Sequence, residues 1–144
     1  LFLNNDLFSG RYRVNGRPIA LSDVHVPVFA VATMTDHVAP WRSVYKVHLM
    51  SHCDVNFVLA SGGHNAGIIS EPGRPGRRYY TAAHRRGDRY TDPDKWIALA
   101  DEKPGSWWPE WLGWLDRVSP GGMVASAPVE GSLGSAPGRY VLER

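Results

Sequence analysis

Val26 to Thr33 reads VPVFAVAT, an unbroken apolar run without a single charge. A strand with one wet face alternates apolar and polar residues. A run apolar on both faces asks for burial on both sides, as in the central strand of a parallel sheet. The run stops at TDHVAPW, a polar loop holding Asp36 and His37. A second buried strand, roughly Val55 to Ala60, follows the same plan and ends in the glycine-rich SGGH that delivers His64. Between the two, Pro40 can take the first turn of a helix, where its missing N–H costs nothing. Val44, Val47 and Leu49, extended by Tyr45 and Met50, suggest a modest helix with one buried side. Strand, acid loop, helix, strand, histidine loop is half of a parallel α/β layer, with chemically useful residues at the C-terminal ends of both strands. The expected fold class is therefore α/β, a partial parallel sheet with flanking helices.

Four stretches follow along a single unit, 1–144. In 1–70, the strand-and-loop core is preceded by RYRV and RPIAL around Asn15-Gly16, a strong signal for a small hairpin. In 71–95 the chain turns rich in Gly, Pro and Arg without a sustained period, and reads as a long surface excursion with at most short helical pieces. Trp96, Ile97 and Leu99 are expected to pin it back to the core. In 96–119, SWWPEWLGWLDRVS carries apolar residues at 108, 111, 112, 115 and 118 and reads as an amphipathic helix. Ser106 is its candidate N-cap, with Pro109 and Glu110 in the first turn. Five of the six tryptophans lie between Trp96 and Trp114, so much apolar area has to be buried there. The tail 120–144 reads as extended along the surface and anchored by Tyr140 to Leu142.

At 144 residues and 43% hydrophobic composition, the chain can build one real core. Net charge is only +2, and the arginines between Arg74 and Arg89 come without a recognition motif, which argues against nucleic acid as a partner. They form either a solvated loop or a surface that attracts an anionic thioester or a partner. No apolar stretch approaches the roughly 20 residues of a membrane span. LFLNNDLFSG lacks the basic start and cleavage site of a signal peptide and reads as a chain already under way. A lone cysteine, Cys53, excludes an internal disulfide and fits a reducing cytoplasm.

Asp36 and His64 are the sharpest pair. At neighbouring strand ends, a carboxylate can orient an imidazole and stabilise its charged form when it takes a proton. Acid before histidine, with a helix between, is the second half of the hydrolase order nucleophile, acid, histidine. The alternative is a helix-capping Asp36 and a loop histidine with local hydrogen bonds. The nucleophile elbow G-x-S-x-G, or its cysteine version, is absent from the sequence. Cys53 in SHCDV has no glycines to shape an elbow, and Ser61 lies too near His64, so loop packing suits it better. His37, Trp41 and Asn65 flank the pair as candidates for pocket support. No metal site is expected, because no H-E-x-x-H helix, cysteine set or carboxylate cluster accompanies these residues. His25, His48, His52 and His84 read as ordinary surface or satisfied core residues.

LNNDLFSGRYRVNGRPIALSDVHVPVFAVAT, TDHVAPWRSVYKVH, FVLASGGHNAGIISEPG, GSWWPEWLGWL and APGRYVLER run through almost the whole chain. In that order they resemble the C-terminal region of class I polyhydroxyalkanoate synthases, the poly(3-hydroxybutyrate) polymerases. The resemblance implies the C-terminal portion of an α/β-hydrolase fold, with a cysteine in a lipase-like box as nucleophile. The family acid matches Asp36 within TDHVAPW, and the family histidine matches His64 within SGGHNAG. His64 would deprotonate the cysteine, which attacks an (R)-3-hydroxyacyl-CoA thioester and releases CoA. Asp36 would orient His64 or help activate the 3-hydroxyl. No cofactor is implied beyond the CoA thioester substrate. The family enzymes commonly work as dimers on cytoplasmic polyester granules. The lipase box is missing here, so this chain is expected to supply acid and histidine, to be inactive alone, and to expose apolar surface where an upstream catalytic region would dock. Two other readings are a non-catalytic segment binding granule or synthase, and a fragment of another α/β-hydrolase esterase. TDHVAPW and WWPEW argue against the esterase.

Overall fold

The computed structural model describes residues 3–119, 121 and 137–143. Its first ordered element is a hairpin of β1 (Tyr12–Val14) and β2 (Arg17–Ile19), paired antiparallel. The turn residues Asn15 and Gly16 have φ of 48° and 76°. This is the type I′ geometry whose twist matches two paired strands, and the reason Asn-Gly marks a hairpin.

The main sheet runs in the order β3 (Val28–Thr33), β4 (Val55–Ala60), β5 (Arg78–His84), β6 (Asp101–Pro104). β3 and β4 are parallel, from Val28 opposite Val55 to Thr33 opposite Ala60. β5 and β6 are each antiparallel to the strand before them in that order. The sheet is mixed, and only its first pair follows the parallel expectation. Residues 71–95, expected as an irregular excursion, contain β5 instead. Its aromatic and β-branched residues suit a strand, and Tyr79 and Thr81 are buried while their neighbours are not. The Arg and Gly residues on either side hide that short alternation from a scan for longer periods.

β4, rather than β3, is the central strand. Phe57, Val58 and Leu59 have no exposed surface, and burying each stabilises the fold by about 1.5–3 kcal/mol. Strand alternation sends Val55, Phe57 and Leu59 to one face, where they pack with Trp41, Tyr45 and Trp96. Val58 and Ala60 go to the other face, against Tyr79 and Trp107. β3 lies at an end of the described sheet, and only Ala32 and Thr33 in it are buried. Its apolar run is built for burial on both faces, which these residues alone do not complete.

Helices cover both faces. α1 (Trp41–Val44), α2 (Val47–Met50) and α3 (Pro93–Leu99) lie over the first, and α4 (Trp108–Val118) over the second. The single helix expected after Pro40 is two short turns. Lys46, His48 and Leu49 each donate to the carbonyl three residues back, the tighter 3₁₀ pattern. Residues at i and i+3 then eclipse, so Tyr45 and His48 share the buried side, their tilted rings 4.2 Å apart between centroids. Leu49 rotates out and is 55% exposed, contrary to the expectation for it. In α3, Asp92 caps the helix by accepting from Lys95 N, and Trp96 is buried. Leu99, expected to pin the segment, is exposed.

The N-cap of α4 is Trp107 rather than the expected Ser106, which sits one residue earlier and accepts the Trp108 amide on Oγ at 3.0 Å. Trp107 and Trp114 pack on Phe29, with ring centroids at 6.3 and 5.4 Å. Trp111, Leu112 and Val118, read as part of the buried stripe, are exposed. Tyr140, Val141 and Leu142 are exposed as well, so they do not anchor the tail. Most of the stretch read as an extended tail lies outside the described residues. The architecture is a mixed sheet with helices on both faces, that of a partial α/β-hydrolase-like fold.

Candidate active site

The register of β3 against β4 decides where the two loops meet. Because Thr33 lies opposite Ala60, both strands end level, and the chain leaves both at the same edge of the sheet. Met34 N–H donates to Ala60 O at 2.9 Å and Thr35 N–H to Gly62 O at 3.1 Å, stitching the acid loop to the histidine loop. Gly67 folds the second loop back, its N–H donating to Gly63 O at 3.0 Å. A Cβ at Gly67 would stand 2.8 Å from Thr33 Cβ, so only glycine fits there.

On this frame, Asp36 Oδ2 lies 2.9 Å from His64 Nδ1. The other oxygen, Oδ1, accepts the amides of Val38 and Ala39 at 2.8 and 2.9 Å. Of the two roles weighed from sequence, the pairing with His64 is present, but the helix cap is not: Oδ1 closes a turn at Val38 and Ala39, ahead of α1, whose N-cap is Pro40. The Ala39 amide, then the His64 hydrogen bond, then the Val38 amide hold the carboxyl down at about 2. An ionised carboxylate only accepts, so His64 Nδ1 carries the proton and neutral imidazole keeps its lone pair on Nε2. Asp36 is 8% exposed at its side chain and His64 50%. A fixed carboxylate behind a half-open imidazole can orient that ring and stabilise its protonated form.

The flanking candidates separate. Trp41 is buried in the core, its ring 6.2 Å from those of Tyr45 and Trp96. His37 is exposed. Asn65 is exposed, and its carbonyl accepts from Ile68 and Ile69 to shape the loop after His64. Ser61 Oγ accepts the Arg78 amide at 3.1 Å, a packing role as expected. Cys53 is buried before the start of β4. The length of that strand, roughly 20 Å at 3.3 Å per residue, separates it from His64.

Sequence reading missed one grouping. His25, His48, His52 and His84 line a cavity of about 400 Å³ together with Cys53 and Arg86. It sits at the end of the sheet opposite His64. His48 Nδ1 bonds Tyr45 O at 2.8 Å, but its buried Nε2 has no partner, so His48 is only half satisfied. Burial, more than the neighbouring His84, pushes the His48 imidazole below its usual value. Scattered spacing gave no signal for this convergence. Among the described residues no group of three or more His, Cys, Asp or Glu is placed to hold a metal ion, and no helix is long and apolar enough to cross a membrane.

No protein-family model matches the chain. Curated relatives do. The chain is 37% identical over 146 aligned residues to the poly(3-hydroxyalkanoate) polymerase subunit PhaC of Rhizobium meliloti, covering 99% of this chain and 23% of that protein. It is 38% identical to the poly(3-hydroxyalkanoate) polymerase of Methylorubrum extorquens, over 97% of this chain and 23% of that protein. Poly(3-hydroxyalkanoate) polymerase 2 of Ectopseudomonas oleovorans is 41% identical, over 91% and 23% respectively. The chain is therefore homologous to the poly(3-hydroxyalkanoate) synthases over nearly all its own length, and spans about a quarter of theirs.

Proposed function

We propose that these residues are the acid–histidine part of a polyhydroxyalkanoate synthase of class I, from the C-terminal region of its catalytic domain. The observation that carries the reading is the Asp36–His64 hydrogen bond at 2.9 Å, within a chain homologous to poly(3-hydroxyalkanoate) polymerases. His64 Nε2 takes the proton of a cysteine thiol supplied by polypeptide outside these 144 residues. The thiolate attacks the thioester carbon of an (R)-3-hydroxyacyl-CoA, and CoA leaves as the acyl-enzyme forms. With His64 Nε2 free again once CoA has left with its proton, the 3-hydroxyl of a second unit gives its proton to that nitrogen and attacks the acyl-enzyme. The ester forms, the cysteine leaves as thiolate, and His64 returns the proton to it. Asp36 keeps the imidazole in the required tautomer throughout. No cofactor enters the scheme. The intact enzyme acts as a dimer at a granule surface in the cytoplasm.

The test joins this chain to a nucleophile-bearing upstream region and measures CoA release from (R)-3-hydroxybutyryl-CoA. Release with polymer, lost in H64A and absent from the isolated chain, is the expected result. Release by the isolated chain would overturn the assignment, because it requires a nucleophile these residues do not offer. Hydrolysis without polymer would favour an esterase. Polymer binding unchanged by H64A and D36A, without release, would favour a binding segment.

A further inference from the structure

The loop that carries His64 is held from outside by the start of α4. Trp107 Nε1 donates to Gly67 O at 3.1 Å, and Trp108 Nε1 donates to Ile68 O at 3.0 Å. Ser106 Oγ donates to Ser70 O while accepting the Trp108 amide. Three consecutive side chains thus engage three carbonyls within four residues of one loop. Trp107, Ser106 and Ser70 are all buried, so the bonds to Gly67 and Ser70 are shielded from competing water, whereas the Trp108–Ile68 bond is exposed. On the inner side, Gly67 lies against Thr33, two residues before Thr35 bonds the histidine loop.

We infer that Trp107 and Trp108, with Ser106, are positioning residues that fix the loop so that His64 Nδ1 stays on Asp36 Oδ2. The physical case rests on what the loop lacks. Residues 61–70 form no helix or strand, and His64 itself is half exposed. The 2.9 Å contact therefore depends on the backbone path through Gly67 and Ile68. A tryptophan can seat its ring in the core and still present an N–H, which a phenylalanine cannot. Trp107 does both, packing on Phe29 and bonding Gly67. The Trp-rich run is thus more than bulk for the core, because two of its indoles address the catalytic loop. The catalytic role of this loop rests on the proposed function, whereas its fixing by the two indoles stands on the hydrogen bonds alone.

The test uses the joined polypeptide with W107F, W108F and the double variant, beside W114F and D36N. W114F makes the same substitution in α4 at a ring that packs on Phe29. Two readouts are taken. Deuterium exchange at the His64 Cε1–H, followed by mass spectrometry across pH, reports the imidazole environment whether or not the protein is active. The double variant's profile is expected to move at least half of the way from parent to D36N, each single part of the way, and W114F not at all. In activity, the double variant's kcat should fall about 10-fold or more, since small misplacements of a reacting group are costly, with KM within about 3-fold. A double variant that keeps the parent's exchange profile and kcat overturns the clamp, as does W114F moving the profile equally. A parent that releases no CoA sinks the proposed function, while the exchange profiles still decide the clamp.

Discussion

Asp36 holds His64 with one oxygen and its own turn with the other: Oδ2 meets His64 Nδ1 at 2.9 Å while Oδ1 takes the amides of Val38 and Ala39. The division matters because the turn fixes the carboxylate independently of the histidine. A carboxylate so held does not need to reorganise when the imidazole gains a proton.

The two oxygens can be separated by substitution. D36N keeps an acceptor for the amides but presents an N–H to His64, which then needs its proton on Nε2 and loses its base. Activity in the joined enzyme should fall about 10³- to 10⁴-fold, with thermal unfolding close to that of the parent. D36A removes both functions and should show the lower Tm of the two. Equal Tm values for D36N and D36A would contradict the turn-closing role.

The Asp36 carboxyl, held at about 2 against an ordinary 3.8, gives a signed pH dependence. A depressed folded-state value means that its stabilisation is complete above 3.8 and lost as pH falls toward 2. An acid limb in the activity profile above pH 4 should therefore survive unchanged in shape when the Val38 and Ala39 amide bonds are perturbed by loop substitutions. A shift of that limb would assign it to Asp36.

His48 acts in the same sense in a higher window. Burial lowers its folded-state value below 6.5, so the unfolded chain binds the proton more readily. Stability is full above 6.5 and declines as pH falls below it. Urea midpoints at pH 7.5 and 5.5 should differ, and H48Q should shrink that difference. An unchanged difference in H48Q would place the effect elsewhere in the histidine-lined cavity.

Packing makes a sharper contrast. F57A removes a ring with no exposed surface and should cost about 3–5 kcal/mol in denaturant unfolding. L49A, at a residue turned outward by the tightened α1–α2 segment, should stay within about 0.5 kcal/mol. A large loss in L49A would restore the single-helix register expected from sequence.

What was legible in the sequence was whatever depends on neighbours in the chain. Asn15-Gly16 dictates a hairpin through its own backbone angles. The runs ending at Thr33 and Ala60 declare two strands, of which only the second is buried along its length, and the polar loops after them place Asp36 and His64 together once those strands pair. What failed depended on partners far away. The Tyr79–Thr81 alternation is too short to register between arginine-rich flanks, yet β4 recruits it as a strand. Leu49, Leu99 and Leu112 are apolar at plausible spacings, but the 3₁₀ tightening and helix placement turn them to solvent. The loop contacts of Trp107 and Trp108 had no sequence signal, because a core tryptophan and a hydrogen-bonding one look alike in sequence.

The β3 edge yields a prediction for the isolated chain. β3 carries VFAVAT with no charge to guard it, whereas β6, at the other end of the described sheet, carries Asp101, Glu102, Lys103 and Pro104. Unguarded apolar edges invite pairing. Sedimentation velocity should show concentration-dependent self-association of the 144-residue chain. A monomer at every accessible concentration would contradict it.

Whether His64 backed by Asp36 activates a cysteine nucleophile is decided by a single-turnover acylation experiment. The joined polypeptide is mixed with (R)-3-hydroxybutyryl-CoA, and covalently bound acyl groups are followed by intact mass in parent, D36N and H64A. Rapid acylation is expected in the parent, slow acylation in D36N and none in H64A over the same interval. Acylation of H64A at the parent's rate would show that the cysteine is activated by something else, and the pair described here would lose its catalytic role.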